Sequence, residues 1–250
     1  MRTIGLIPVR LESSRLPNKP LKNILGMPLF AHVYFRTIQS NLDNVYVCTD
    51  SQQIIDVADS YNIPTILTSS KHLTGTDRCS EAATILDVSD SDIIVNIQGD
   101  EALVDPLHIN SVVQEFSKGH ADIIVPFLEI ETFNDVNTVK LLTVGNTIVY
   151  MSRSDIPNNF RSSTPLKKHL SIMCFTGASM KRFAKLDESE YERTEGIELL
   201  RAIENNMKLF TLKLEGESIA VDTQKDLDDV RNIMETDKLF KEYCNAKCTT

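Results

Sequence analysis

The chain begins with the stretch TIGLIPVRLESSRLPNK over residues 3–19, and the rest of the sequence is best interpreted outward from it. Residues 3–9 are a short apolar run, which predicts a buried strand. A polar loop follows that carries Arg10, Arg15 and Lys19 and is stiffened by proline. Guanidinium groups grip phosphate oxygens in pairs and lysine adds a compact charge, so the loop suits a nucleoside triphosphate. The alternative is a solvated surface loop, which is what most cationic loops are.

The composition is that of an ordinary globular protein. The chain has 250 residues, 42% hydrophobic and 24% charged, which allows one large domain or two small ones. A net charge of −9 argues against a nucleic-acid surface or a cationic membrane face, so the cationic loop stands out from its background. No stretch approaches about 18 uninterrupted apolar residues, so we expect no membrane span, and the first residues show no cleavable leader.

The five cysteines are odd in number and form no zinc-binding pattern. We therefore expect reduced thiols in a cytoplasmic protein. Cys244 and Cys248 lie one helical turn apart, and a redox or metal role for them is the less favoured interpretation.

Strands and helices alternate in the first part of the chain. Apolar runs at 3–9, 45–48 and 64–67 predict strands, and amphipathic patterns between them predict helices, the first over 28–40. This order implies parallel strands with right-handed crossovers. Ligands of such sheets bind past the carboxyl ends of the strands, where the cationic loop and Asp50 both lie.

Two later strands also end in acidic residues. The apolar run 92–97 predicts a central strand, and it ends in Gln98-Gly99-Asp100-Glu101. Acids in such a place are costly unless they face water or a cation. A second short strand, 219–221, ends at Asp222, and a final helix is predicted over 223–243.

From residue 127 the pattern becomes antiparallel. Strand-like pieces follow one another without convincing helices, at 139–144, 147–151 and 170–175. The polar segment 152–169 predicts a mobile loop, and 192–206 predicts a helix. We predict one domain over 1–250 with a layer inserted at about 127–190. This layer covers one side of the pocket, pairs with a second subunit, or does both.

Eight short motifs occur in order along the chain: Pro8-Val9-Arg10, Ser14-Arg15-Leu16-Pro17-Asn18-Lys19-Pro20-Leu21, Gly75-Thr76-Asp77-Arg78, Val95-Asn96-Ile97-Gln98-Gly99-Asp100-Glu101, Thr138-Val139-Lys140, Ser152-Arg153, His169-Leu170 and Val221-Asp222-Thr223. Together they resemble one family nearly end to end, the 3-deoxy-manno-octulosonate cytidylyltransferases, or CMP-Kdo synthetases. The cationic loop is shared with other sugar nucleotidyltransferases, whereas Gln-Gly-Asp-Glu with Gly-Thr-Asp-Arg is more specific.

The resemblance implies an α/β fold of the Rossmann-like nucleotidyltransferase (GT-A-like) kind, a three-layer sandwich with a mostly parallel mixed sheet and an inserted antiparallel layer. It also implies a reaction in which CTP and a 3-deoxy-2-ulosonic acid give the CMP-sugar and pyrophosphate, for lipopolysaccharide or capsule. Magnesium and a homodimer are implied as well.

The resemblance assigns roles to individual residues. The catalytic residues would be Arg10, Lys19, Asp100 and Asp222, and the two aspartates would hold magnesium. The CTP-binding residues would be Pro8, Arg10, Arg15, Lys19, Gly75, Thr76, Arg78 and Gln98. The sugar-binding residues would be Gln98, Arg153, His169, Glu195, Glu198 and Arg201. Alternatives stay open: Asp222 as a helix cap, Asp100 as a solvated strand end, His169 as a structural histidine, and the two glutamates as a solvated helix face.

Departures from the family pattern fall at Met173, Arg201 and Ala202. They motivate the hypothesis that the acceptor is a modified or longer acid rather than plain Kdo. Two rival functions are weaker. A glycosyltransferase would need an Asp-x-Asp-like motif and no triphosphate loop, and a non-catalytic nucleotide binder would not need the intact acids and cations. A dehydrogenase is disfavoured because no Gly-x-Gly-x-x-Gly follows the first strand.

Overall fold

The computed structural model describes residues 1–13 and 15–247, with side chains as far as residue 244. These residues form two compact units. We call the first the loop unit, because it contains the cationic loop; it comprises Arg2–Val88, Val95–Asn110 and the described residues from Ser218 onward. The insert unit comprises Ser89–Ile94 and Ser111–Glu217, together with Met1.

The secondary-structure elements follow one another in an α/β order. The strands are β1 (Thr3–Pro8), β2 (Asn23–Ile24), β3 (Met27–Pro28), β4 (Asn44–Thr49), β5 (Thr65–Leu67), β6 (Ile93–Ile97), β7 (Ile123–Ile124), β8 (Phe127–Ile130), β9 (Lys140–Val144), β10 (Thr147–Ser152), β11 (Leu166–His169), β12 (Ile172–Thr176) and β13 (Leu209–Phe210). The helices are α1 (Leu29–Thr37), α2 (Gln52–Asp59), α3 (Gly75–Ile85), α4 (Pro106–Phe116), α5 (Gly177–Phe183), α6 (Glu190–Glu195), α7 (Leu200–Glu204), α8 (Gln224–Thr236) and α9 (Lys238–Lys247), and a 3₁₀-helix spans Lys19–Leu21.

The loop unit is built on β5, β4, β1 and the last three residues of β6, in the order β5-β4-β1-β6. β1 runs parallel to β4, and β4 runs parallel to β5. β6 is buried along its whole length, as expected for an apolar run in a sheet centre, and every residue of α1 is buried as well. The predicted parallel alternation is therefore confirmed for this unit. The carboxyl ends of β1 and β6 lead into the cationic loop and into Gln98-Gly99-Asp100.

The insert unit is mainly antiparallel. Its strands follow the order β12-β7-β13-β10-β9-β11-β8. The pairs β10–β9, β11–β9, β11–β8, β10–β13 and β12–β7 are antiparallel, whereas β13 runs parallel to β7. The α/β class with a mixed sheet and an antiparallel excursion after residue 127 is thus confirmed.

Four local predictions were wrong, the first three of them for residues 166–169, 192–206 and 219–221. Residues 166–169, which were expected to belong to a mobile loop, form β11. This strand pairs antiparallel with β8 although it contains the charged residues Lys167 and Lys168. The helix expected over 192–206 is two helices, since Gly196 ends α6 in the left-handed conformation (φ 63°). Residues 219–221 form no strand.

The final helix is also divided. Asp237, with extended backbone, separates α8 from α9, where one helix was expected over 223–243. Within the described residues, no helix combines the length and the hydropathy that crossing a membrane requires. Cys48, Cys79, Cys174 and Cys244 take part in no disulfide bond among the described residues, and Cys248 lies outside them.

Candidate active site

Lys19 brings together two carboxylates that lie far apart in the sequence. Its Nζ is 2.9 Å from Oδ2 of Asp100 and 3.0 Å from Oδ1 of Asp222, and Nη2 of Arg15 is 3.0 Å from that same Asp222 oxygen. The Lys19 side chain is only 16% exposed. The predicted catalytic residues Lys19, Asp100 and Asp222 therefore form one cluster in the loop unit, with Arg15 at its edge.

The electrostatics of this cluster favour a charged lysine. Burial on its own lowers the pKa of Lys19, but the charges of Asp100 and Asp222 and the hydrogen bonds to them outweigh burial, so the pKa lies above its usual value of 10.5. The ammonium is thus firmly cationic at neutral pH. Two carboxylates and two cations alternate here at the carboxyl edge of the parallel strands.

The backbone around the cluster is held by hydrogen bonds. The Val221 N–H donates to the Asp100 carbonyl at 3.0 Å, which joins the two segments that carry the acids. The Oδ2 atom of Asp226 accepts from the N–H groups of Asp222 (3.0 Å) and Thr223 (2.7 Å), so a capping box at the start of α8 also orients Asp222. The N-cap of α8 is Thr223 rather than Asp222, whose own carboxylate pairs with Lys19 and Arg15. The buried Glu101 accepts a hydrogen bond from Ser218 at 2.8 Å, which ties down the segment before Asp222.

A concave opening lies along the cationic loop, with a volume of about 540 Å³. Such a volume is within the range of small-molecule sites. Arg10 is exposed beside it, as a group that meets a ligand would be. The opening is lined by Arg10, Leu11, Glu12, Ser13, Pro17 and Asn18.

Pro8, Gly75, Thr76 and Gln98 also lie together in the loop unit. The amide of Gln98 donates to Asn96 at 3.3 Å, and the amide of Asn96 donates to Thr76 at 2.9 Å. A Cβ atom at Gly75 would lie 3.1 Å from the Gln98 amide and 3.2 Å from the Pro8 ring. Asn96 had no predicted role, although a polar residue within an apolar strand was a signal for one, and it is fully buried.

Arg78 lies deeper than a ligand-facing residue does. Its side chain is 4% exposed, Nη2 lies 3.2 Å from Asp50, and Nη1 donates to Thr68 at 2.6 Å. Asp50 follows β4, so this buried ion pair joins the end of that strand to the start of α3. The part of Arg78 in CTP binding stays a prediction.

In the insert unit, Arg153 and Glu195 are joined by hydrogen bonds that involve the backbone of each residue and the side chain of the other. The Glu195 carboxylate accepts from the Ser152 hydroxyl at 2.7 Å and from the Arg153 N–H at 2.9 Å. The Arg153 guanidinium donates in turn to the carbonyl of Glu195 at 2.8 Å and to that of Val136 at 3.1 Å. Both predicted sugar-binding residues are therefore anchored where β10 ends and α6 ends, and Glu195 is not part of a freely solvated helix face.

His169 carries a buried nitrogen that has no hydrogen bond. Its Nε2 atom is enclosed and, among the described residues, finds no hydrogen-bond partner. Burial, with a smaller contribution from the charge of Lys168, lowers its pKa from 6.5 to about 4, so the ring is neutral at pH 7. A buried polar atom of this kind suits a ligand that supplies the missing hydrogen bond.

Arg201 is held inside the insert unit. Its Nε and Nη2 atoms donate to the two carboxylate oxygens of Glu192 at 2.8 and 2.7 Å, and its guanidinium lies 4.9 Å from the centre of the Phe183 ring. Met173 and Ala202 are also buried. The three departures from the family pattern are therefore interior positions, and they add no support to the hypothesis of a modified acid. Glu198 is half-buried near the start of α7.

No group of three or more acidic, histidine or cysteine side chains suited to a metal ion occurs in the part of the chain that the structure describes. The pair of Asp100 and Asp222 fits a magnesium site of a different kind, in which substrate phosphates and water supply the remaining ligands. Magnesium is bound in nucleotide enzymes through one or two carboxylates plus substrate phosphates and water, and both carboxylates lie within 3.0 Å of one atom, Lys19 Nζ.

Comparison with known proteins adds independent information. A family described as cytidylyltransferase matches residues 4–209. The 3-deoxy-manno-octulosonate cytidylyltransferase of Oleidesulfovibrio alaskensis is 34% identical over 237 residues, covering 92% of this chain and 95% of the relative. The 3-deoxy-manno-octulosonate cytidylyltransferase 2 of Actinobacillus pleuropneumoniae is 34% identical over 250 residues, covering 94% and 99%.

Solved structures agree. CMP:2-keto-3-deoxy-manno-octonic acid synthetase, solved with CTP, has a TM-score of 0.87 and 28% identity, covering 94% of this chain and 99% of that one. A cytidylyltransferase from Leptospira borgpetersenii has a TM-score of 0.67 at 18% identity, covering 96% and 90%, and so shares the fold.

Proposed function

This chain belongs to the cytidylyltransferase family, and we propose that it transfers the cytidylyl group of CTP to a 3-deoxy-2-ulosonic acid, 3-deoxy-manno-octulosonate or a close relative. The products are the CMP-sugar and pyrophosphate, for use in lipopolysaccharide or capsule. The names of the relatives and the CTP complex of the similar synthetase support this choice of substrates. The observation that carries the proposal is the cluster in which Lys19 joins Asp100 and Asp222.

The reaction needs positioning more than covalent help from the protein. The anomeric hydroxyl of the sugar attacks the α-phosphorus of CTP and gives up its proton to water, so that a new P–O bond forms and the bond to pyrophosphate breaks. Arg10, Arg15 and Lys19 offset the charge of the triphosphate and of the departing pyrophosphate. Pro8, Gly75, Thr76 and Gln98 are assigned to the nucleoside, and the part of Arg78 stays a prediction.

Asp100 and Asp222 would hold magnesium together with the phosphates. When bound, the ion offsets negative charge on the phosphate oxygens. Lys19 keeps the two carboxylates together in its absence, since it donates to both. Chelation of the metal should therefore abolish turnover and leave the fold intact.

The acidic sugar is assigned to the layer at about 127–190 and to the helices that follow it, within a single nucleotidyltransferase domain over 1–250. Arg153 is assigned to the carboxylate on the resemblance, as a cation held where β10 and α6 end. His169, Glu195, Glu198 and Gln98 are assigned to the hydroxyls, and the part of Arg201 stays a prediction. A homodimer in the cytoplasm completes the proposal.

Turnover with a panel of sugars tests the proposal directly. Purified protein is mixed with CTP, magnesium and 3-deoxy-manno-octulosonate, or with modified and longer acids, and pyrophosphate and the CMP-sugar are measured. Release of pyrophosphate only when an acid sugar is present is the expected result. A clear preference for the unmodified acid would remove the modified-acid hypothesis. Tight CTP binding without turnover of any sugar would instead favour a non-catalytic binder. Sedimentation of the same sample tests the dimer.

A further inference from the structure

Lys140 is a fully buried lysine that no role assigned so far has used. Its side chain is 0% exposed. Its ammonium donates to the carbonyl oxygen of Asp135 at 2.5 Å and to that of Arg153 at 2.7 Å, and lies 3.3 Å from Oδ1 of Asp155. All of these residues belong to the insert unit. One cation thus joins three separate oxygens, one of which belongs to the backbone of a predicted sugar-binding residue.

Its place in the sheet puts Lys140 between the segments that carry two predicted sugar-binding residues. Lys140 begins β9, opposite Ser152 of β10 and Lys168 of β11. The preceding carbonyl, that of Val139, accepts from the N–H of His169 at 2.9 Å. Lys140 and the residue before it, Val139, therefore contact the backbones of Arg153 and His169 respectively.

Arg153 takes part in the same arrangement. Its Nη1 atom donates to the carbonyls of Val136 (3.1 Å) and Asn137 (3.4 Å), next to the Asp135 carbonyl that Lys140 binds. Three consecutive carbonyls of this loop accept hydrogen bonds from two cationic side chains. The loop therefore depends on both cations for its conformation, and Arg153 depends on the loop for the direction of its guanidinium.

A buried ammonium is costly compared with an apolar side chain of the same size, and its contacts repay that cost only when their geometry is good. The lysine is therefore poorly explained as filler of the interior. We propose that Lys140 is a positioning residue for the acidic sugar, which holds the backbone of Arg153 and so directs its guanidinium. This inference rests on the proposed function. Lys140 touches no reacting atom in it.

Removal of the Lys140 ammonium should affect the binding of the two substrates differently. The CTP residues belong to the loop unit, whereas Lys140 and Arg153 belong to the insert unit. Loss of the ammonium should therefore weaken binding of the acid sugar and leave binding of CTP as it was. General destabilisation would not separate the two substrates in this way.

Steady-state kinetics of Lys140→Met test this prediction, with Lys213→Met as the control. Lys213 is a lysine of the same unit whose contacts are exposed ion pairs with Glu129 and Glu215. We expect Lys140→Met to raise the KM for the acid sugar about tenfold or more, with the KM for CTP within about twofold of wild type. The control should match wild type for both substrates.

A double variant, Lys140→Met with Asp155→Leu, covers the case in which the single variant does not fold, because it also removes the carboxylate left unpaired. A raised KM for the acid alone supports the inference in either variant. Unchanged KM values, equal increases for both substrates, or failure of both variants to fold would overturn it. Wild type is assayed alongside: absence of turnover there contradicts the proposed function, whereas turnover with an unaltered KM in the variants contradicts only the role of Lys140.

Discussion

Val221 donates its backbone N–H to the carbonyl oxygen of Asp100 at 3.0 Å, so the segment that carries the second acid of the cluster is hydrogen-bonded to the first acid itself. The distance between the two carboxylates is thereby controlled by backbone as well as by Lys19. Side-chain substitutions in the cluster should therefore change its charge more than its shape, which makes the loop unit suitable for mutational tests.

Replacing Lys19 with Met should reduce kcat/KM about 100-fold to 1000-fold, because a charged donor to the phosphates is lost. Lys22→Met, three residues further on and half-buried, is the matched control and should stay near wild type. Initial rates of pyrophosphate release measure both. Retention of wild-type activity by Lys19→Met would contradict the assignment.

The same variant has a defined pH signature in stability. Since the pKa of Lys19 is raised in the folded protein, the stabilisation from its ion pairs is complete below pH 10.5 and is lost as the pH rises through the folded value. The difference in free energy of unfolding between wild type and Lys19→Met should thus be constant from pH 6 to 9. A difference that changes steeply within that range would argue that another group titrates in the cluster.

His169 should make the protein less stable in mild acid. Its pKa is lowered from 6.5 to about 4 in the folded state, so the stability gained from the neutral ring is complete above pH 6.5 and is lost as the pH falls towards 4. The loss approaches about 3 kcal/mol. His169→Gln should show a smaller loss than wild type in urea unfolding at pH 7 and 4.5. The exposed His120→Gln is the control, and equal losses in all three proteins would refute the prediction.

Arg201 can be tested through its partner. Arg201→Met leaves the Glu192 carboxylate buried without its cation and should cost about 3–5 kcal/mol in stability. Adding Glu192→Leu should restore most of it. If Arg201 is purely structural, the double variant will keep the wild-type KM for the acid sugar. A tenfold increase would instead confirm the role in sugar binding that the sequence resemblance implies.

Gly99 should not accept a side chain. A Cβ atom there would lie 2.8 Å from the Pro8 carbonyl oxygen and 2.8 Å from a methyl carbon of Val9. Gly99→Ala should destabilise the protein by about 1–3 kcal/mol and raise the KM for CTP. Gly75→Ala is the graded comparison, because its Cβ meets the movable Gln98 amide at 3.1 Å, so its effect should be smaller.

The loop unit was largely predictable from sequence. Strand β1, the cationic loop and Asp100 after β6 follow from apolar runs that end in charged residues, and runs of this kind identify buried parallel strands well. The convergence of Asp100 and Asp222 was expected from strand ends, yet residues 219–221 reach the cluster as irregular chain. The hydrogen bond from the Val221 N–H to the Asp100 carbonyl brings the two acids together, which a strand was expected to do.

The insert unit was less predictable, because single residues decide its local structure. Gly196 divides one expected helix, and charged Lys167 and Lys168 form part of β11. The bond of Asn96 to Thr76 and the burial of Lys140 depend on contacts between distant residues. Hydrophobic periodicity reports which face of an element is buried, and it carries no information about polar partners across the fold.

The capping box of α8 and the acid that it orients are both synthesised late, near the end of the chain. Asp222 depends on Asp226 for its orientation, and both lie beyond the residues 4–209 that the cytidylyltransferase family matches. A nascent chain on the ribosome therefore contains the first strands and the cationic loop long before Asp222 has been synthesised. Until that late segment emerges, Lys19 can pair with Asp100 alone, and the metal site proposed above has only one of its two carboxylates.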